Sequence, residues 1–149
     1  MSAPAMFATA KALPSIRRFD PGADLPEPLA QFVWAWEGAR GIDDGIPART
    51  AFNLMRLPNN GAQAGFVLVP FAEAGADLYR WRVVGNTVKE TLDAVPDAAI
   101  ALTDPIAQAA LESLLTATPM LVADEGNGWV AMLAPLAGVD GHVIVGVVA

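Results

Sequence analysis

The run Val143-Ile144-Val145-Gly146-Val147-Val148 has no polar side chain at any position. A β-strand sends successive side chains to opposite faces. A strand with no polar set is therefore buried on both sides, which places it at the centre of a sheet rather than at its margin. Whatever this chain folds into has to be built around that strand.

Two further strands precede it, at about Met120 to Ala123 and Trp129 to Ala134, and the last is read from His142 to Val148. Glu125-Gly126-Asn127-Gly128 and Gly138-Val139-Asp140-Gly141 are suitable hairpin loops between them. Earlier in the chain, Gly65 to Phe71 and Leu78 to Val84 are β-prone and flank the turn Ala74-Gly75-Ala76-Asp77, which predicts an antiparallel hairpin. Simple alternation puts Tyr79, Trp81 and Val83 on one face of its second strand and Arg80, Arg82 and Val84 on the other.

Helical signals fill the gaps. Leu29, Phe32, Val33 and Trp36 fall at i, i+3, i+4 and i+7, which predicts an amphipathic helix from about Glu27 to Arg40. Asp24 and Pro26 suit its start and Gly41 its stop, while Trp34 lies off the stripe. Asn86 is expected to cap a short helix carrying Val88 and Leu92, closed by Pro96. Asp104-Pro105 opens another, with Ile106, Ala110, Leu111, Leu114 and Leu115 as its apolar face and Pro119 as its end. Residues 1 to 24, with Pro4, Pro14, Pro21 and Gly22, read as a flexible arm with a helical turn around Ser15 to Phe19. Ile42 to Ala64 reads as an irregular link punctuated by Pro47, Pro58 and Asn59-Asn60-Gly61.

The element order is helix, two strands, helices, three strands, an α/β (α+β) arrangement in one domain of about 125 residues after the arm. Local residues add to this. Trp36 leads through Arg40-Gly41 to Pro47-Ala48-Arg49, and Trp81-Arg82-Val83-Val84-Gly85 ends the second strand. With these motifs, residues 25–149 resemble the PAS fold, in particular a bacterial branch of mostly stand-alone PAS proteins. The resemblance implies a five-stranded antiparallel sheet closing over a small cavity, helices packed on one face, and an N-terminal helix. Asn86 before Thr87, and Leu92-Asp93-Ala94-Val95-Pro96 without glycine, depart from that branch's pattern, so the loop bordering the cavity is expected to differ.

Charge and composition narrow the function. The net charge is −7, and up to Gly65 six basic residues balance six acidic ones, so the negative excess lies beyond. A C-terminal part of that sign repels phosphate backbones and disfavours nucleic acid. The longest apolar stretch, Trp129 to Val139, is about half a bilayer crossing. No apolar run precedes Lys11, Arg17 and Arg18 as a secretory signal would require, so a cytoplasmic protein without a membrane partner is expected. The chain has no cysteine, which excludes disulfides, thiolate nucleophiles, Cys-ligated zinc and flavin–cysteine photochemistry. At 54% apolar residues, the chain carries more apolar area than one small core hides, and homodimerisation is expected.

The candidate ligand-binding residues are Tyr79, Trp81, Arg82, Trp129 and Arg49. The three aromatics offer apolar walls with polar handles, against the plainer reading that they are core or dimer packing. Arg82 offers a fork for a carboxylate or phosphate, against an internal ion pair or an exposed edge charge. Arg49 either closes the cavity mouth or anchors the link. Phe32, Trp34 and Trp36 are the candidate interface. His142, the sole histidine, is read as an exposed turn residue rather than a haem ligand. No cofactor or metal is named by the sequence. No Gly-x-Ser-x-Gly elbow, phosphate-cradling glycine loop or metal-binding His pair is present, and no catalytic set is expected.

The expected function is a stand-alone sensory or adaptor domain that binds a small ligand or a signalling protein partner. With no coiled-coil linker or output domain after the last strand, it is expected to signal through intermolecular contacts. The alternatives are a small-molecule-processing α/β enzyme and a ligand-free interaction scaffold whose cavity is filled by side chains such as Ala131, Met132 and Leu133.

Overall fold

The doubly apolar strand does sit in the middle. In the computed structural model, which describes residues 14–40, 45–57, 61–73, 76–138 and 141–149, seven strands form one sheet. They are β1 (Ser15–Arg18), β2 (Gly65–Glu73), β3 (Ala76–Val84), β4 (Ala99–Ile100), β5 (Met120–Asp124), β6 (Trp129–Gly138) and β7 (Gly141–Val148), in the order β1-β5-β6-β7-β2-β3-β4. Each neighbouring pair runs antiparallel. The helices are α1 (Glu27–Arg40), α2 (Gly61–Ala64), α3 (Asn86–Leu92) and α4 (Pro105–Thr116), and two 3-10 turns occupy Arg49–Ala51 and Leu54–Arg56.

Both faces of β7 are buried, each in its own cluster. Val143, Val145 and Val147 join Leu121, Met132, Ala134 and Leu136 beneath Leu29, Phe32, Val33 and Trp36 of α1. Ile144 and Val148 join Phe66, Leu68, Trp81, Met120, Val122 and Leu133 beneath Val88 of α3 and Ile106, Ala107, Ala109 and Ala110 of α4. The sheet is thus one layer with α1 on one side and α3 and α4 on the other. The stripe expected of α1 is the buried one, and the helix has the bounds that the sequence gives it.

Glycine is required within β7 for a packing reason. A Cβ on Gly146 would collide with the Phe66 ring and lie 2.8 Å from the Met132 carbonyl oxygen. Phe66 fills that space and stacks edge-on against Trp81, with ring centroids 5.4 Å apart.

Strand β6 runs four residues beyond its expected end at Ala134, through Pro135. Its partner β5 pairs only with Trp129 to Leu133, so the outer edge of β6 is free from Ala134 onward. There the missing proline N–H breaks no ladder. The Pro135 carbonyl accepts a bond of 2.9 Å from the Trp36 indole. Two residues on, the Ala137 N–H donates to the Pro47 carbonyl at 2.8 Å. The 45–51 loop therefore takes the place of a strand along this edge.

Several expectations need correction. Ser15–Arg18 is a strand, not a helical turn: its four residues pair with Met120 to Ala123 of β5, so this part of the arm is tied to the sheet. A two-residue strand, β4, was also not expected, which makes seven strands where the PAS resemblance implies five. Gly85, not Asn86, occupies the N-cap of α3, with Asn86 already helical. Asp104 caps α4 as expected, its carboxylate accepting from the Ile106 N–H at 2.9 Å. On α4, however, Leu111 and Leu115 are exposed, while Ala107, Ala109, Ala110 and Ser113 face the sheet. Small residues let the helix approach closely, and the Ser113 hydroxyl donates to the Thr118 carbonyl at 2.7 Å. Link residues Gly61–Ala64 are helical. The Gly41 stop, the Pro58-Asn59-Asn60 punctuation, the Ala74-Gly75 turn, the Val139-Asp140 loop and arm residues 1–13 lie outside the described residues.

Replacing Gly146 with alanine should overpack the sheet against Phe66, and is expected to destabilise the protein by about 1–3 kcal/mol. Urea denaturation should show a lower midpoint with an unchanged slope.

Candidate functional site

On the side of the sheet covered by α3 and α4, the described side chains pack into one buried cluster. Phe66, Leu68, Val122, Leu133 and Ile144 are fully buried, and Trp81 and Met120 nearly so. The candidate aromatics belong to this side: Trp81 lies in the cluster, with Tyr79 and Trp129 packed against its margin. Burial lifts the Tyr79 phenol above its ordinary value.

The two candidate arginines lie elsewhere. Arg49 and Arg82 line one half-open groove of about 810 Å³ on the α1 side of the sheet, together with Arg80, His142 and Thr50. Val69, Pro70, Ala137 and Val143 give it an apolar wall, and Ala48, Gly138 and Gly141 complete the described lining. None of these residues is acidic.

Each of these basic side chains has a local reason for being there. Arg49 opens a 3-10 turn whose preceding residues are fixed to the free edge of β6. Ala48 bridges Ala137 in parallel, and the Pro47 carbonyl holds the Ala137 N–H. Arg80 and Arg82 are two residues apart on β3 and so share a face. His142 is the second residue of β7, opposite Ala137.

Strand β3 departs from simple alternation just here. Val67 pairs with Val83 but Leu68 pairs with Trp81, so Arg82 is an extra residue, a β-bulge. The bulge shifts the side-chain phase. Val84 packs on the same interior cluster as Trp81, and Val83 is left exposed, contrary to the alternation read from the sequence. Arg82 also meets Asp97, N···O 3.7 Å, with both side chains more than half exposed. Such a pair is screened by solvent and contributes little. Asp97 is held near by its own N–H, which donates to the Trp81 carbonyl at 2.7 Å.

Of the three candidate interface residues, only Trp34 is at the surface. Phe32 and Trp36 are fully buried against the sheet, while Trp34 is 81% exposed. Phe32 meets Phe52 edge-on at 5.6 Å. The Arg40 guanidinium lies 4.9 Å from the centre of the Trp36 ring, and its Nε donates to the Gly45 carbonyl at 3.2 Å. The Trp36, Arg40 and Pro47-Ala48-Arg49 residues of the sequence motif thus form one connected structural unit. Trp34 borders a separate cleft of about 420 Å³ with Phe19, Leu25 and Val33.

Asp124, in the β5–β6 turn, is a buried carboxylate with a structural task. It accepts from the Asn127 backbone N–H at 3.0 Å and side-chain amide at 2.9 Å. Among the described residues, no group of three histidine, aspartate or glutamate side chains could hold a metal ion. Nor is any helix among them long and apolar enough to cross a membrane.

Compared with known proteins, the chain matches no family model, no curated protein and no solved structure.

Tyr79 is the only tyrosine, so an ultraviolet alkaline titration reads it alone. Its midpoint in the folded protein is expected above that of the urea-unfolded chain. With the folded pKa the higher, its contribution to stability is complete below the unfolded midpoint and is lost as pH rises through the folded one. A coincident pair of midpoints would contradict its burial.

Proposed function

We propose that this chain is a PAS-type sensory or adaptor domain. It acts as a cytoplasmic homodimer and recognises a small ligand, or a protein partner, in the groove lined by Arg49, Arg80, Arg82 and His142. The observation that carries the reading is this groove: dispersed residues converge on it, and its volume falls within the range of small-molecule sites, about 300–1,000 Å³.

The path of the chain supports the PAS part of the proposal. A helix, a hairpin, connecting helices and a three-stranded meander follow one another as the resemblance implies. β7 closes the meander onto the first strand of the hairpin through the pairs Gly65–Val147 to Leu68–Ile144. The packed interior favours recognition on the outer face over capture inside the sheet. Trp34, exposed beside an apolar cleft, supports self-association through the outer side of α1. Binding is favoured over catalysis because the described groove residues supply cations and apolar contacts, with no carboxylate among them to pair with His142 as an acid–base couple.

Native mass spectrometry of protein purified from cells tests this reading. A non-covalent adduct is expected that disappears on denaturation, and Thr50→Trp, which places a large ring over the groove from an exposed position, should remove it. An adduct that survives Thr50→Trp in a folded protein would place recognition elsewhere.

A further inference from the structure

We propose that the outer face of α1 docks a short basic segment of a partner protein, one that carries Lys or Arg next to an apolar side chain. The site is the cleft beside Trp34. This goes beyond the reading given above, since the groove between β3 and the 45–51 loop has no part in it.

The cleft is built within one stretch of chain, from Phe19 to Glu37. Phe19, Leu25 and Val33 give it apolar walls, and Trp34 stands at its rim with 81% of its surface exposed. Ala30 lies one turn before Trp34 on the same face of α1 and is too small to cover the indole. A tryptophan left open beside an apolar recess is the material of a binding hot spot, because a partner buries a large ring at little cost in side-chain entropy.

Charge names the partner. Residues 19–39 contain Asp20, Asp24, Glu27 and Glu37 and no Lys or Arg. Glu37 already faces Arg40 at 3.4 Å, so it adds little to the field. Asp20 and Glu27 accept from neutral donors, the Gly22 N–H and the Gln31 amide, which leaves their charge in place. Among the described residues, no ion pair involves Asp20, Asp24 or Glu27. Arg17 and Arg18 of β1 line the neighbouring recess rather than this one. A cation over the Trp34 ring would be held by the ring face and by Asp24, which belongs to the same lining. The fold uses such a contact once already, where Arg40 lies 4.9 Å from the centre of the Trp36 ring.

The same charges set a basic segment against a second copy. Self-association over this face brings like carboxylates of two copies together, whereas a basic segment neutralises them. The two occupants exclude one another, and the basic segment has the electrostatic advantage.

Titration of the full chain with the acetylated and amidated peptide Lys-Leu-Lys-Leu-Lys tests the proposal, with Gln-Leu-Gln-Leu-Gln and Glu-Leu-Glu-Leu-Glu as controls. Calorimetry and amide chemical shifts read the binding, and light scattering the oligomeric state. The lysine peptide should bind saturably, with shifts centred on residues 19–37, and about tenfold or more tightly than either control. Trp34→Ala and Asp24→Asn, both at exposed positions, should each weaken it about threefold or more. No saturable binding, equal affinity for the glutamine peptide, or binding unchanged in both folded variants would overturn the proposal. A dimer that Trp34→Ala dissociates and the lysine peptide leaves intact would assign the face to a second copy, and would overturn it too.

Discussion

The burial of β7 on both faces is the constraint on which the rest of the structure depends. A strand carrying Val143, Val145 and Val147 on one side and Ile144 and Val148 on the other needs apolar cover above and below. The cover comes from two separate parts of the sequence: α1 lies between β1 and β2, whereas α3 and α4 lie in the crossover between β3 and β5. Gly146 reconciles the two demands, since its missing side chain is the space that Phe66 occupies. One small residue thus lets the central strand approach a large aromatic without opening the ladder.

The position of the groove follows from a mismatch in strand length. β6 outlasts β5, and its free edge must find other partners for its backbone groups. The Trp36 indole and the Pro47 carbonyl provide them. Those two bonds fix where the loop after α1 runs, and the loop carries Arg49 to the end of the sheet where β3 and β7 present Arg80, Arg82 and His142. The site is a consequence of how an unfinished sheet edge is satisfied.

Much of the fold was legible because it rests on local periodicity. The α1 stripe, the Asp104-Pro105 start, the hairpin and the central place of β7 all follow from side-chain spacing or turn chemistry. What was hidden depends on tertiary partners. Ser15–Arg18 has no strand signal of its own and is extended because β5 offers an edge. Pro135 reads as a stop, and only the loss of β5 as a neighbour makes it harmless. Leu111 and Leu115 look like core until close packing by Ala107, Ala109 and Ala110 turns α4 the other way. In the site, the shared face of Arg80 and Arg82 was readable from their spacing, whereas Arg49 and His142 join them through contacts between residues about 90 apart in sequence, Ala48 with Ala137. The bulge at Arg82 left no local mark, so Val83 and Val84 were assigned to the wrong faces.

A groove occupant would touch both the loop along the free edge of β6 and the sheet itself. Arg49 belongs to the loop, and Arg80, Arg82 and His142 to the sheet. The loop is tied in turn to the end of α1, where the Arg40 guanidinium bonds the Gly45 carbonyl and lies against Trp36. On the proposed reading, binding can alter signalling only if the occupied groove favours one arrangement of this loop over another, because a ligand shifts an equilibrium by no more than its difference in affinity for the two states. A ligand buried in the interior would have to displace fully buried side chains such as Phe66 and Leu133. One held between the loop and the sheet would leave the core intact and act on the helix that carries Trp34. The filled interior and the outer groove therefore belong to the same argument: a packed core makes the sheet a rigid platform, and the loop along its unfinished edge is the part whose position a ligand can bias.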